Sequence, residues 1–251
     1  MSQEAIATRE LLTTASNDDL GPLVEYILKA STESLTASPK YKKYHLDHTQ
    51  YTDEIFDEIR QFGGNTFVNL FRKEGPSYLD VLKDAAKKVG VKDADKYSIV
   101  ELEQQMIQAL LRKATKEASG EDQVELEKVL RDVGLNERDY KAFISGASLA
   151  TLLTPQLYRL FMYQASSLIA GAVAKQLLGH GLRVGIGFTA GRFGSLLLGP
   201  IGWVLAGIWT AVDIAGPAYR VTVPCTLHIA MLRQKWLCEQ EVGPLEEAFN
   251  D

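Results

Sequence analysis

Apolar residues recur at helical spacing along the first part of the chain. After Glu10-Leu11-Leu12, the run Ser16-Asn17-Asp18-Asp19 offers an N-cap and first-turn acids ahead of LGPLVEYILKA. Leu20, Leu23, Val24, Ile27 and Leu28 then fall on one stripe and predict a core-facing helix. STESLTASPK, polar and containing Pro39, reads as a loop. Thr52-Asp53-Glu54 opens a helix with Ile55, Phe56, Ile59 and Phe62 on its apolar face. Gly63-Gly64 interrupts it, allowing either a left-handed turn or a close approach between helices, before NTFVNLFR resumes the pattern. Helical periodicity returns over 78–90, over 98–118 with Ser98 and Glu101 as a capping box, and over 121–134. The first and last of these end on glycine. No alternating run is long enough for a sheet, so the fold class is all-α.

From about residue 141 the texture changes. Two apolar helical runs break near Thr154-Pro155, and glycines then accumulate. Gly181/Gly185 and Gly187/Gly191 stand four apart, and Gly202 stands four before Ala206, a spacing that lets helix backbones approach closely. Twenty uncharged residues separate Arg192 from Asp213, close to what a bilayer-spanning helix requires. Gly199-Pro200 lies inside that run. Proline breaks a helix interior but suits its first turn, so the run reads as two arms of a hairpin. The later arm, 201–215, would reach about 22 Å, short of a hydrocarbon core of about 30 Å. A hairpin buried in a soluble bundle, one that enters a membrane conditionally, and a permanent anchor all remain open. Asp213 would sit in the last turn of the second arm, where the helix dipole disfavours an acid, and Arg220 or Arg192 can serve as its partner.

The expected architecture is therefore a multi-helix bundle with a Gly-rich apolar C-terminal helical hairpin. Its parts are an N-terminal helical segment (1–38), a charge-rich helical part (39–140) and an apolar Gly-rich helical part (141–251), the last packed on the former as one unit.

Charge sharpens this division. The chain has 27 Lys+Arg against 32 Asp+Glu, a net charge of -5 that gives no general reason to expect nucleic acid. Residues 1–140 hold 26 acids and 19 bases, whereas 141–251 hold only 6 acids and 8 bases. The two cysteines, Cys225 and Cys238, form no metal or redox spacing and read as buried thiols. MSQEAIATRELLTT lacks the basic and apolar regions of a secretory signal, so a cytoplasmic setting is expected.

Catalytic patterns are not found. GIGFTAGRFG (185–194) lacks the Gly-Lys-Ser/Thr ending of a phosphate loop and the strand and acid of a dinucleotide fingerprint. His45 and His48, with Asp47 and Asp53, can be drawn as a metal cluster, but this spacing favours solvated histidines. His180 and His228 stand in apolar segments and are expected to be hydrogen-bonded core residues. Ser16, Ser166 and Ser195 lack a nucleophile elbow. The acidic pairs Asp53/Glu54, Asp57/Glu58 and Glu246/Glu247 read as solvated faces. No catalytic, cofactor-binding or metal residue is assigned, and no enzyme is expected.

Several blocks together resemble the YaaW-like family of uncharacterised bacterial proteins. They are ELLTTASNDDLGPLVEYIL, YTDEIFDEIRQFGGNTFVNLFR, VELEQQ, GHGL (179–182), GPIGW (199–203) and AYRVTVPCTLHIAMLR (218–233). The family has been grouped with the ubiquinol–cytochrome c chaperone domain, which implies an all-helical fold and a chaperone-like role near membranes. The resemblance marks Phe62, Gly63, Gly64, Asn65 and Arg72 in one block. In the other it marks Gly199, Pro200, Gly202, Pro217, Ala218, Tyr219, Arg220, Thr222 and Pro224. Asn65 can cap a helix. Arg72 and Arg220 can grip a carboxylate or lipid phosphate, although a structural ion pair such as Asp213–Arg220 is the simpler role.

The expectation is a non-enzymatic, chaperone- or assembly-factor-like protein acting through protein contacts near a membrane. The alternative is a conditional membrane-inserting or pore-forming protein whose hairpin is shielded in the soluble state, with Asp213 as its latch. An enzyme of unknown reaction comes third. The implied partners are an unidentified protein and membrane lipid touched through residues 184–216, with no nucleic acid and no cofactor. The implied place is the cytoplasm, peripheral to or inserted in the inner membrane.

Overall fold

Every residue from Val221 to Gln234 is buried, so this stretch of helix has no solvent face. A helix buried all round has to be the axis about which the others pack. The computed structural model describes residues 7–30, 33–63, 75–132, 135–180, 182, 207 and 218–242, and no strand occurs among them. The all-α class read from the periodicity is the observed one.

The first two helices, α1 (Thr8–Thr14) and α2 (Asn17–Lys29), form as their sequences predict. Ser16 accepts from the Asp19 N–H while the Asp19 carboxylate accepts from the Ser16 N–H, a complete capping box. Leu20, Leu23, Val24 and Ile27 are buried, and Leu28 packs at the margin of the core. The stretch expected to be a loop, 31–40, instead contributes α3 (Glu33–Ala37) and the start of α4 (Pro39–Tyr44). Ser38 caps α4, and Pro39 occupies its first turn, where the missing N–H costs nothing. A proline taken as a loop marker was a helix start.

A 3₁₀ turn, His48–Tyr51, leads into α5 (Thr52–Phe62), which buries Ile55, Phe56 and Ile59. Glu58 is buried too, at 5% exposure, which corrects the solvated face expected for Asp57/Glu58. Asp53 and Asp57 both engage Arg9 of α1, so that acidic edge is an inter-helix clasp.

The next helix, α6 (Tyr78–Lys88), opens on a Ser77/Asp80 capping box. It closes on Gly90, whose φ of 96° permits the Val91 N–H to reach the Ala86 carbonyl. A short connection leads to α7 (Ile99–Glu117), capped by Ser98 and Glu101 as expected. Then come α8 (Glu121–Asp132) and α9 (Glu137–Ile144), the latter capped by Asn136. Thr154 caps α10 (Pro155–Leu178), Pro155 lies in its first turn, and Gly179 ends it at φ 83°. The final described helix is α11 (Tyr219–Val242).

Arg159, near the start of α10, pairs with Glu241, near the end of α11, at 2.8 Å. The two helices are therefore antiparallel. They pack along each other, and the small residues Ala165, Ser166, Ala170 and Ala174 of α10 are all buried. Helices α2, α5, α6 and α7 complete the surround of α11. Among the described residues no helix is long and apolar enough to cross a membrane. The Gly-rich run 183–206 and residues 208–217, on which the hairpin was expected, lie outside the described residues.

Candidate functional site

The antiparallel pairing of α10 and α11 fixes where the apolar segment meets the bundle. The chain leaves the end of α10 at Leu178–His180 and re-enters α11 at Ala218-Tyr219, at the same end of the molecule. Two further helices terminate there. At the end of α2, Lys29 Nζ donates to the Leu177 carbonyl, and Glu25 lies 2.9 Å from His180. At the end of α6, Lys88 Nζ stands 4.7 Å from the centre of the Tyr219 ring.

His180 is exposed at this end, a correction of the buried core histidine expected for it. The reason is its place beyond the Gly179 cap, where the chain has already turned out of the helix. Tyr219 is half-buried, and that burial, with Asp84 acting in the same direction and Lys87 against it, raises its hydroxyl. Arg220 begins α11 and is exposed.

Gly63 reaches α6 from the other side. Its φ of -73° is ordinary, so its need is space and not a left-handed turn. A Cβ there would lie 3.0 Å from Val81 Cβ and closer still to Val81 Cγ2. Val81 and Lys88 are two helical turns apart, so α6 joins Gly63 to Tyr219. Gly63 and Tyr219 thus meet the same helix two turns apart and are not in contact with each other. Gly64, Asn65, Arg72, Gly199, Pro200 and Asp213 lie outside the described residues, and with Asp213 goes the Asp213–Arg220 pair.

Two polar clusters lie on α11; His228 in the second is the hydrogen-bonded core histidine expected, whereas its partner Asp19 and the whole first cluster were not anticipated. In the first, Arg233 Nε donates to Glu103 Oε2 at 2.7 Å and Nη2 donates to Thr8 Oγ1 at 2.7 Å. The Tyr78 hydroxyl donates to the other Glu103 oxygen at 3.1 Å. Burial raises the Glu103 carboxyl above its ordinary range, while Arg233 and Tyr78 pull the other way. Four helices, α1, α6, α7 and α11, are thereby tied at one point.

In the second, Lys235 Nζ donates to Asp19 Oδ2 at 2.9 Å, and His228 Nε2 donates to the Asp19 carbonyl at 2.7 Å. The acceptor assigns the ring proton to Nε2. Burial works to raise Asp19, but Lys235 and Ser16 outweigh it and hold the carboxyl below its ordinary value. Burial lowers His228 to about 4, against the smaller opposing pull of Asp19. The Tyr26 ring meets His228 edge-on at 6.3 Å, and among the described residues neither the Tyr26 hydroxyl nor His228 Nδ1 has a hydrogen-bond partner.

The signal for the first cluster was present. Glu103 falls on the stripe of Leu102, Met106, Ile107 and Leu110, and Arg233 stands inside TLHIAMLRQKWLC. A charge on an apolar stripe demands a buried partner.

The remaining candidates do not converge. His45 is exposed, and His48 is half-buried against Tyr51 instead of solvated. Asp53 is taken by Arg9. Ser16 is a helix cap, and Ser166 donates to the Tyr163 carbonyl. Cys225 and Cys238 are free and buried, as the sequence implied. Among the described residues no three His, Cys, Asp or Glu side chains gather as a metal site.

No family model matches the chain, and no solved structure matches it. Relatives are found by sequence. A UPF0174 protein of Helicobacter pylori (strain J99 / ATCC 700824) is 34% identical over 232 residues, covering 90% of each chain. A second from that strain is 33% identical over 214 residues, 82% of this chain and 99% of the relative. The UPF0174 protein YaaW of Escherichia coli (strain K12) is 30% identical over 187 residues, 74% of this chain and 73% of the relative. Identity sustained over this share of both chains shows that the protein belongs to the uncharacterised UPF0174 family, which includes YaaW of Escherichia coli.

Proposed function

We propose that this chain is a non-enzymatic helical scaffold, assembly-factor- or chaperone-like, that works through protein contacts beside a membrane. One observation carries the reading. The bundle delivers both ends of its long apolar, Gly-rich segment to a single face, where four helix ends meet. That face, at the base of the segment, is the natural place for a partner to engage it. Further support comes from the polar side chains of the described core. Three of the buried charged side chains hold helices together: Arg233 with Glu103, and Asp19 with the partly exposed Lys235. The grouping of YaaW-like proteins with the ubiquinol–cytochrome c chaperone domain points the same way, toward a cytoplasmic protein peripheral to the inner membrane.

The test is fractionation followed by partner capture. The protein should co-sediment with inner membranes, be released by alkaline carbonate, and cross-link to a discrete membrane-protein partner through residues 184–216. A chain that stays wholly in the supernatant and yields no cross-link sinks the proposal.

A second reading, conditional insertion or pore formation, is favoured by the twenty uncharged residues between Arg192 and Asp213. It predicts carbonate-resistant membrane association and release of a dye from vesicles. Release at neutral and acid pH equal to that from protein-free vesicles rejects it.

A further inference from the structure

We propose that the end of the bundle from which the apolar segment departs is a docking face for an anionic bilayer surface; this rests on the membrane-proximal reading above. The described residues at this end form a basic collar. Lys29 closes α2, Lys175 stands in the last turn of α10, and Lys87 and Lys88 close α6. Lys92 follows on the connection to α7, and Arg220 opens α11. All six are exposed.

The acids nearby are fewer and mostly engaged. Asp95 pairs with Lys83 and Lys87, Asp93 pairs with Lys96, and Glu25 faces His180; Asp84 is exposed beside them. The surplus of positive charge is local, because the whole chain carries a net charge of -5. Tyr219, with its ring against Lys88, adds an amphipathic side chain of the kind that sits at headgroup depth.

Charge complementarity and the chain that emerges here select the occupant. The collar surrounds the departure of a segment whose charges between Leu182 and Ala218 are only Arg183, Arg192 and Asp213. Exposed basic side chains at several helix ends beside Tyr219 match a bilayer whose surface is anionic: lipid phosphates meet the lysines while the tyrosine sits at headgroup depth. A soluble acidic protein would satisfy the lysines but not the apolar run.

Flotation of the full-length protein tests this, using phosphatidylcholine vesicles with and without phosphatidylglycerol. Binding should require phosphatidylglycerol and weaken in high salt. Lys88→Glu/Lys92→Glu should lower partitioning by about tenfold or more, since a basic residue near such a surface contributes about fivefold. Lys29→Gln/Lys175→Gln, on two other helices, should also weaken it, so a folding defect in one variant does not decide the matter. The same charge change at Lys116 of α7 and Lys128 of α8, both exposed and neither part of the collar, should have little effect.

Equal binding to both vesicle types, or no effect of either collar variant, overturns the collar and leaves membrane proximity standing. No binding to any vesicle overturns the lipid face, while the membrane-proximal reading stands or falls on the fractionation and cross-linking above. Competition by soluble polyglutamate as strong as by anionic vesicles reassigns the face to an acidic protein and overturns the lipid assignment.

Discussion

Arg233 and Glu103 meet 2.7 Å apart with their side chains 1% and 0% exposed, an ion pair wholly inside the core. Taking both charges from water costs several kcal/mol, recovered only while each keeps its partner. Arg233→Met alone should therefore cost about 3–5 kcal/mol by leaving Glu103 buried and unpaired. Arg233→Met/Glu103→Leu should regain most of that loss. Urea unfolding of both single variants and the double variant measures the coupling; additive losses would show that the pair does not act as a unit.

Acid should destabilise the protein through His228. Its folded pKa, about 4, lies below the ordinary value of 6.5, so the unfolded chain binds more protons between those limits. The stability that neutral His228 confers is complete above about pH 6.5 and is lost as pH falls toward 4. Between pH 7.5 and 5 the loss should be about 2 kcal/mol. The groups around the ring are Asp19, Tyr26 and, two turns along α11, Lys235. His228→Gln should flatten this part of the profile of urea midpoints; an unchanged slope would assign the acid response elsewhere.

Gly63 is a packing glycine. Gly63→Ala should cost about 1–3 kcal/mol by forcing the new methyl into Val81. Val81→Ala should reduce the penalty when combined with it, although it is harmful alone. Thermal melts of the three variants test this. Equal melting of Gly63→Ala and the wild-type protein would refute the contact.

Two capping boxes offer an internal comparison. Ser98→Ala removes a cap at an exposed helix start and should cost about 1 kcal/mol. Asp19→Ala removes a cap partner and also the anchor of Lys235, and should cost clearly more. Equal losses in chemical denaturation would mean that the Lys235 contact contributes little.

The thiols should resist labelling. Burial pushes Cys225 far above the ordinary thiol range and Cys238 up to about 11, so little thiolate exists at neutral pH. Labelling by a thiol reagent should follow the unfolding rate, and rapid labelling of the native protein would contradict this burial.

The helices were legible wherever local chemistry specified them. Ser16, Ser98, Thr154 and Gly90 marked their boundaries correctly because a cap satisfies backbone groups within a few residues of itself. Pro39 misled because the same ring that ends one element begins another. Long-range partners were not legible. Nothing near Glu103 names Arg233, and nothing near Asp57 names Arg9. Likewise His180 and His228 share an apolar setting, yet only His228 faces the core, because Gly179 turns the chain before His180. The double glycine left two roles open at Gly63, and only the neighbouring Val81 decides between them.

The helix around which α1, α2, α5, α6, α7 and α10 pack is also synthesised after them. Thr8 waits for Arg233, 225 residues later, and the apolar stripes of α2, α5, α6 and α7 wait for the same surface. Until α11 leaves the ribosome, a nascent chain holds several half-covered helices together with its long apolar run. Contacts that close over so long a stretch of chain leave apolar surface exposed in the interval. During its own synthesis the chain therefore passes through a stage in which apolar faces that α11 will cover are still open.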